Sequence, residues 1–273
     1  MIESFILPGI PVPLFWLFTG LAIIILGISK SGMSGAAILS LPLMMTVMPV
    51  DKVAATMLPL LVLCDINAIY HHRLNVVWRQ VFAVYFPAII GIAIGSFMWW
   101  RIGQAGVEVY AVGLKRFVGV IAIVFGLYII ARESSLKWAS EHRAGSVWAL
   151  VAGVMGGITT TLAHAAGPIV SLYLFSQGMG KRLFVGTMAW TFMLLNLTKL
   201  PFYGAIGMLR SDVLLFDLYL VPLIPVGSYM GKWLLTHVSE SVFNRVIMVL
   251  TLLAGIQLLF NIQLVTRLWS WLS

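Results

Sequence analysis

The 273 residues are 61% hydrophobic and 10% charged, with a mean hydropathy of +1.02. Soluble domains are about half apolar and a quarter charged, so a soluble fold is excluded and a polytopic membrane protein is expected. The net charge of +8 sits mostly in short connections, where basic residues set topology and meet anionic headgroups. It therefore does not call for nucleic acid.

Met1 to Thr19 carries Glu3 as its only charge and lacks a basic n-region, so no cleaved signal peptide is expected. Apolar runs follow at 14–29, 35–48, 53–70, 80–100 and 109–131. A polar stretch, Arg132–Gly145, interrupts them. They resume at 146–163, 166–177, 183–207, 213–235 and 242–262, and Gln263–Ser273 reads as an interfacial amphipathic tail. The expected organisation is a first transmembrane repeat (1–131), a charged linker (132–145), a second repeat (146–262) and the tail (263–273). Tryptophans cluster near segment ends, Trp78, Trp99, Trp100, Trp148 and Trp233 among them, and an interfacial belt accounts for most of them. The single cysteine, Cys64, cannot build a disulfide framework. No Cys/His cluster or Walker-type loop stands in its expected context, so neither metal, cofactor nor bound ATP is expected.

Two stretches resemble each other. Gly27-Ile-Ser-Lys30-Ser-Gly-Met-Ser34 begins one small-residue break inside an apolar run, and Gly157-Ile-Thr-Thr160-Thr-Leu-Ala-His164 begins the other. Downstream, Ser40 matches Ser171, Thr56 matches Thr187, Asp65 matches Asn196, and Gly91 and Gly95 match Gly227 and Gly231. This ordered series indicates a duplication. The expected fold is an all-α polytopic membrane protein with two homologous helical repeats, each beginning with a broken helix or helical hairpin. If each broken element returns to its own side, the repeats are inverted. Nine basic residues then share one side against six on the other, which places both termini outside the cytoplasm.

Paired broken segments point to a transporter's binding site. Lys30, Asp65, His164 and Lys199 are the ionisable residues away from segment ends, where a charge costs at least ~2.5–3.5 kcal/mol. Lys30 with Ser31 and Ser34, beside backbone N–H groups released at a helix break, makes a seat for an oxyanion. Thr160 and His164 occupy the other break, and His164 can donate to an anion or carry a proton. Asn196 and Lys199 are three apart and share a helix face. Asp65 balances charge or couples a proton or sodium ion. Asp217, close to its segment's start, is expected to face the interface.

These residues also carry a family resemblance over essentially the whole chain. Gly-Ile-Ser-Lys30-Ser-Gly, Leu162-Ala-His164-Ala-Ala-Gly167-Pro168 and Asn196-x-x-Lys199-x-Pro201-x-Tyr203, in order, resemble the TauE/SafE sulfite and organosulfonate exporters. The family commonly has adjacent glycines where this chain has Gly35-Ala36-Ala37 and Ala165-Ala166-Gly167, and the added methyls would narrow the cradle. The resemblance implies transport of small sulfur oxyanions or sulfonates across the cytoplasmic (inner) membrane. The expected function is a secondary exporter working by alternating access, with its site at the two breaks near the midplane. An anion channel is the alternative. An intramembrane enzyme is disfavoured by the lack of a carboxylate pair, HExxH motif or GxSxG elbow.

Overall fold

The computed structural model describes residues 2–30, 36–72, 74–141 and 144–262. Ser31, Ser34 and the expected tail at 263–273 lie outside them. Among the described residues the secondary structure is helical, without strands. A short 3-10 turn, Ile2–Phe5, precedes α1 (Val12–Lys30), α2 (Ala37–Met45), α3 (Val50–His72), α4 (Trp78–Ala105) and α5 (Val107–Glu141). Then come α6 (Ser146–Ala163), α7 (Gly167–Ser176), α8 (Lys181–Ala205), α9 (Ser211–Leu220), α10 (Leu223–His237) and α11 (Glu240–Leu259). Helices satisfy their backbone groups internally, which lipid demands.

Seven stretches among the described residues are long and apolar enough to cross a membrane. Their outward faces suit lipid. On α4, Phe82, Phe86, Ile90, Ile94 and Phe97 recur every three or four residues and stand exposed, Phe86 and Phe97 at 60% each. Val84, Ala88, Gly91, Ile92, Gly95 and Trp99 form its buried face. The expected segment 213–235 is divided between α9 and α10 by a turn at Val221–Pro222. Pro222 has no N–H, and its ring crowds the carbonyl four residues back, so α9 stops there.

The helices group into two compact units. The first comprises the described parts of Met1–Met57, Gln104–Ile129 and Arg210–Ser273, and the second those of Leu58–Gly103 and Ile130–Leu209.

In the second unit α6 and α7 form a hairpin. Ala144 N–H donates to Ser176 Oγ at 3.3 Å and Gln177 Nε2 donates to Ala144 O at 3.0 Å, so the two ends meet. Between them Ala149 and Ala152 of α6 pack with Val170, Tyr173 and Leu174 of α7. Helix α4 crosses α6 with backbone against backbone. A Cβ on Gly91 would lie on Val154 O, and one on Gly157 would lie on Ala88 O. Small residues four apart permit such an approach in lipid, where close packing drives helix association.

The first unit repeats this plan with other residues. Leu7 N–H donates to Val47 O at 2.9 Å, closing the ends of the α1–α2 hairpin, and Ser40 Oγ donates to Ala22 O at 2.8 Å. Helix α10 crosses α1, where a Cβ on Gly27 would come 2.7 Å from Ile224 O and one on Gly227 would lie on Ile24 O. The meeting glycines are those the sequence pairs, Gly27 with Gly157 and Gly227 with Gly91. In each unit the hairpin comes from one half of the chain and its crossing helix from the other.

Candidate functional site

The break at the tip of α6–α7 has a local cause. Thr159, Thr160 and Thr161 are β-branched and poor helix formers. Two of them turn their hydroxyls back, Thr159 to Met155 O and Thr161 to Gly157 O, both at 2.8 Å. The chain leaves the helix at His164, which adopts the left-handed conformation at φ 48 and ψ 31. That conformation costs a non-glycine residue roughly 1–2 kcal/mol. His164 N–H closes the last turn on Thr160 O at 3.0 Å, and Ala165 N–H reaches Thr159 O at 3.3 Å. Helix α7 then opens at Gly167-Pro168 with no side-chain cap.

A helix end leaves carbonyls exposed and concentrates the negative end of its dipole. Inside a membrane these carbonyls need donors from the protein. Helices α8 and α4 supply them. Lys199 is fully buried, and its Nζ lies 3.1 Å from Thr160 O, 3.0 Å from Thr160 Oγ1 and 3.1 Å from His164 Nδ1. An ammonium has three protons, and these acceptors lie within hydrogen-bond reach of them. With Nδ1 accepting, the ring proton of a neutral His164 resides on Nε2. One turn further along α8, Tyr203 OH donates to Thr161 O at 2.5 Å, and Trp99 Nε1 of α4 donates to the same carbonyl at 3.0 Å.

The structure therefore brings Thr160, His164 and Lys199 together. Asn196 is one turn before Lys199 on α8, and its Nδ2 donates to Asp65 Oδ2 at 2.6 Å. Both side chains of that pair are buried, which places a carboxylate in the interior of the second unit. Tyr85 OH and Thr198 Oγ1 share a further hydrogen bond of 2.9 Å. Lys30 ends α1 in the first unit. Among the described residues no group of three His, Cys, Asp or Glu side chains could hold a metal ion.

Two expectations need correction. Trp99 is not part of an interfacial belt, being 3% exposed and hydrogen-bonded at the break, whereas Trp148 at 61% fits that role. The signal for Trp99 lay in its spacing, since Gly91, Gly95 and Trp99 recur every four residues on the face turned to α6. Asp217 does not face the interface either. It is 4% exposed, because Phe216 beside it draws α9 against Phe5, Phe15 and Trp16, with ring centroids 4.4, 5.9 and 5.8 Å apart. Tyr203 was legible as part of a motif but not as the donor that secures the helix end.

Membrane-length helices, lipid-facing aliphatic and aromatic stripes and a buried lysine at a hairpin tip define a multi-pass membrane protein with a polar interior site. Residues 19–258 match the family model described as Sulfite exporter TauE/SafE. The chain belongs to that family, a family of transporters. No match to a curated protein or to a solved structure was found.

Proposed function

We propose that this protein is a secondary carrier exporting a small sulfur-containing anion, sulfite or an organosulfonate, across the cytoplasmic membrane, with both termini outside the cytoplasm. The observation that carries the site assignment is the Lys199–His164–Thr160 cluster at the tip of α6–α7. Lys199 donates to acceptors within the protein, so it serves the anion through its field and through the orientation it imposes on His164. The imidazole Nε2–H and the uncapped N-terminus of α7 at Gly167 are the donors that meet the anion. Asp65, held by Asn196, balances the lysine and keeps the site near neutral before the anion arrives. Lys30, Ser31 and Ser34 are proposed as the anion-binding residues of the equivalent break in the first repeat. Alternating access comes from movement of the helical repeats, as in other carriers built from repeats.

Energetics suit export. An inside-negative potential drives each departing negative charge by about 2.3 kcal/mol per 100 mV, so a dianion leaves downhill without a coupled ion. The test is flux of sulfite and a panel of sulfonates from proteoliposomes under an imposed potential. Saturable efflux that accelerates with an inside-negative potential is expected. Protein that moves none of these anions refutes the reading, and flux that never saturates replaces the carrier with a channel.

A further inference from the structure

Asp217 is unused by the site just described and is placed unlike the other carboxylates. It lies inside an apolar stretch of membrane length (Ser211–Leu234) and is 4% exposed, and neither Oδ1 nor Oδ2 has a hydrogen-bond partner. Its neighbour Phe216 stacks among Phe5, Phe15 and Trp16. Thr19, one helical turn beyond Phe15 on α1, is likewise buried with its hydroxyl unpartnered.

Among the described residues no charge is seen to compensate Asp217. Helix α1 has no titratable side chain between Val12 and Ser29, and Glu3 before it is exposed. Lys52 at the start of α3 is committed to Asp212, with Nζ 2.9 Å from Oδ2, beside a partly exposed Asp51. Arg210 also turns to Asp212, at 3.3 Å. On α10, Tyr229 and Lys232 are exposed.

An ionised carboxylate taken out of water without a partner costs several kcal/mol. We propose that Asp217 is a proton-binding site of the first unit: its carboxylate takes up one proton in the conformation seen here and releases it, as H⁺, in a conformation that admits water or a donor. An ionisable residue inside a membrane marks a functional site. A carboxyl serving only as filler would use its O–H in a hydrogen bond, and Asp217 makes none. Its unmet hydrogen bonds raise the energy of this conformation, so losing the proton shifts the population away from it. The inference rests on the transport reading for its consequence, a proton carried in step with the anion, but not for the protonation itself.

The experiment has two arms on the full-length protein. In the first, dicyclohexylcarbodiimide, which adds to a protonated carboxyl in an apolar setting to leave an N-acylurea, is applied in micelles, and the adduct is mapped by mass spectrometry. Labelling at Asp217 is expected at neutral pH, fading as pH rises, while Asp212 stays unmodified. No adduct at Asp217 from mildly acidic to alkaline pH overturns the proposal. In the second arm, sulfite flux is measured under a pH gradient at zero membrane potential. Wild-type flux should respond to the gradient, and Asp217→Asn, which mimics the protonated form, should keep flux and lose the response. A response unchanged in Asp217→Asn overturns the proton's role in transport. If the wild type moves no anion, the transport reading fails and the labelling alone decides whether Asp217 holds a proton. The labelling arm on the wild type also decides if Asp217→Asn does not fold.

Discussion

In the second unit the buried polar atoms around the hairpin tip are matched: Lys199, Tyr203 and Trp99 satisfy the last carbonyls of α6, and Asn196 meets Asp65. In the first unit Thr19, Thr56, Asp217, Ser228 and Thr251 carry buried oxygens with no partner, whereas the second unit has only Ser96 Oγ and Trp190 Nε1 in that condition among the described residues. Both units fold a hairpin back on itself and cross it with a glycine-bearing helix. The shared plan is a matter of backbone packing, and the difference is a matter of polar satisfaction. A satisfied network is held in one arrangement, while unsatisfied groups leave a second arrangement within reach. The second unit thus suits a preorganised binding site and the first suits a group that changes state.

The comparison is broken most directly at the crossings. Gly157→Val and Gly27→Val each force a side chain onto backbone that cannot retreat, and overpacking typically costs about 1–3 kcal/mol or more. Both variants are expected to lose the monodisperse, thermally cooperative species seen by size-exclusion chromatography and a melting scan. A first unit that absorbs Gly27→Val without loss would show that the two crossings are not equivalent.

A smaller effect is expected where the units differ. Lys199→Met keeps the side chain's length but takes one of two donors from Thr160 O, which retains His164 N–H, and removes the ammonium from His164 Nδ1. Buried acceptors left without a partner cost about 1–3 kcal/mol, and the loss of field should weaken anion binding by roughly tenfold or more, about 1.4 kcal/mol. Calorimetric binding and thermal melting on the same sample read both quantities. Stability lost with affinity intact would make Lys199 a helix cap and nothing else.

The smallest effect separates backbone from side chain at His164. Glycine accepts the left-handed conformation at no steric cost, while alanine does not. His164→Gly should therefore melt above His164→Ala by a margin equivalent to roughly 1 kcal/mol, while both weaken anion binding. Equal melting temperatures would mean that the turn relaxes when the imidazole is gone.

Much of this was readable in the sequence because apolar run length and small-residue breaks are local signals. Most helices fall close to the expected runs, although α5 continues to Glu141 through the stretch expected as a linker, and Thr160, His164 and Lys199 stood out as polar residues inside apolar stretches. The division of 213–235 was not readable. Pro59, Pro87 and Pro201 lie within continuous helices, so Pro222 alone could not announce a break. The burial of Asp217 is set by aromatic residues some two hundred positions earlier in the chain, and no periodicity within α9 reports that. Nor does any local pattern reveal that each hairpin is crossed by a helix from the other half. Lys199 was legible as a charge but not as the cap of a helix whose end lies 36 residues earlier, at Ala163.

That cap ties three positions into one inheritable character. A lineage that replaces Lys199 removes a donor from Thr160 and His164, and one that replaces His164 removes an acceptor from a buried ammonium. Each change alone carries a cost in stability or binding that a compensating change can relieve, so among relatives positions 160, 164 and 199 should drift together or stay fixed together. New specificities should then arise at the neighbours that touch none of the three. Gly167 is the first place to look: a Cβ added there meets nothing within 4 Å, which leaves its side chain open to variation while the cap stays intact.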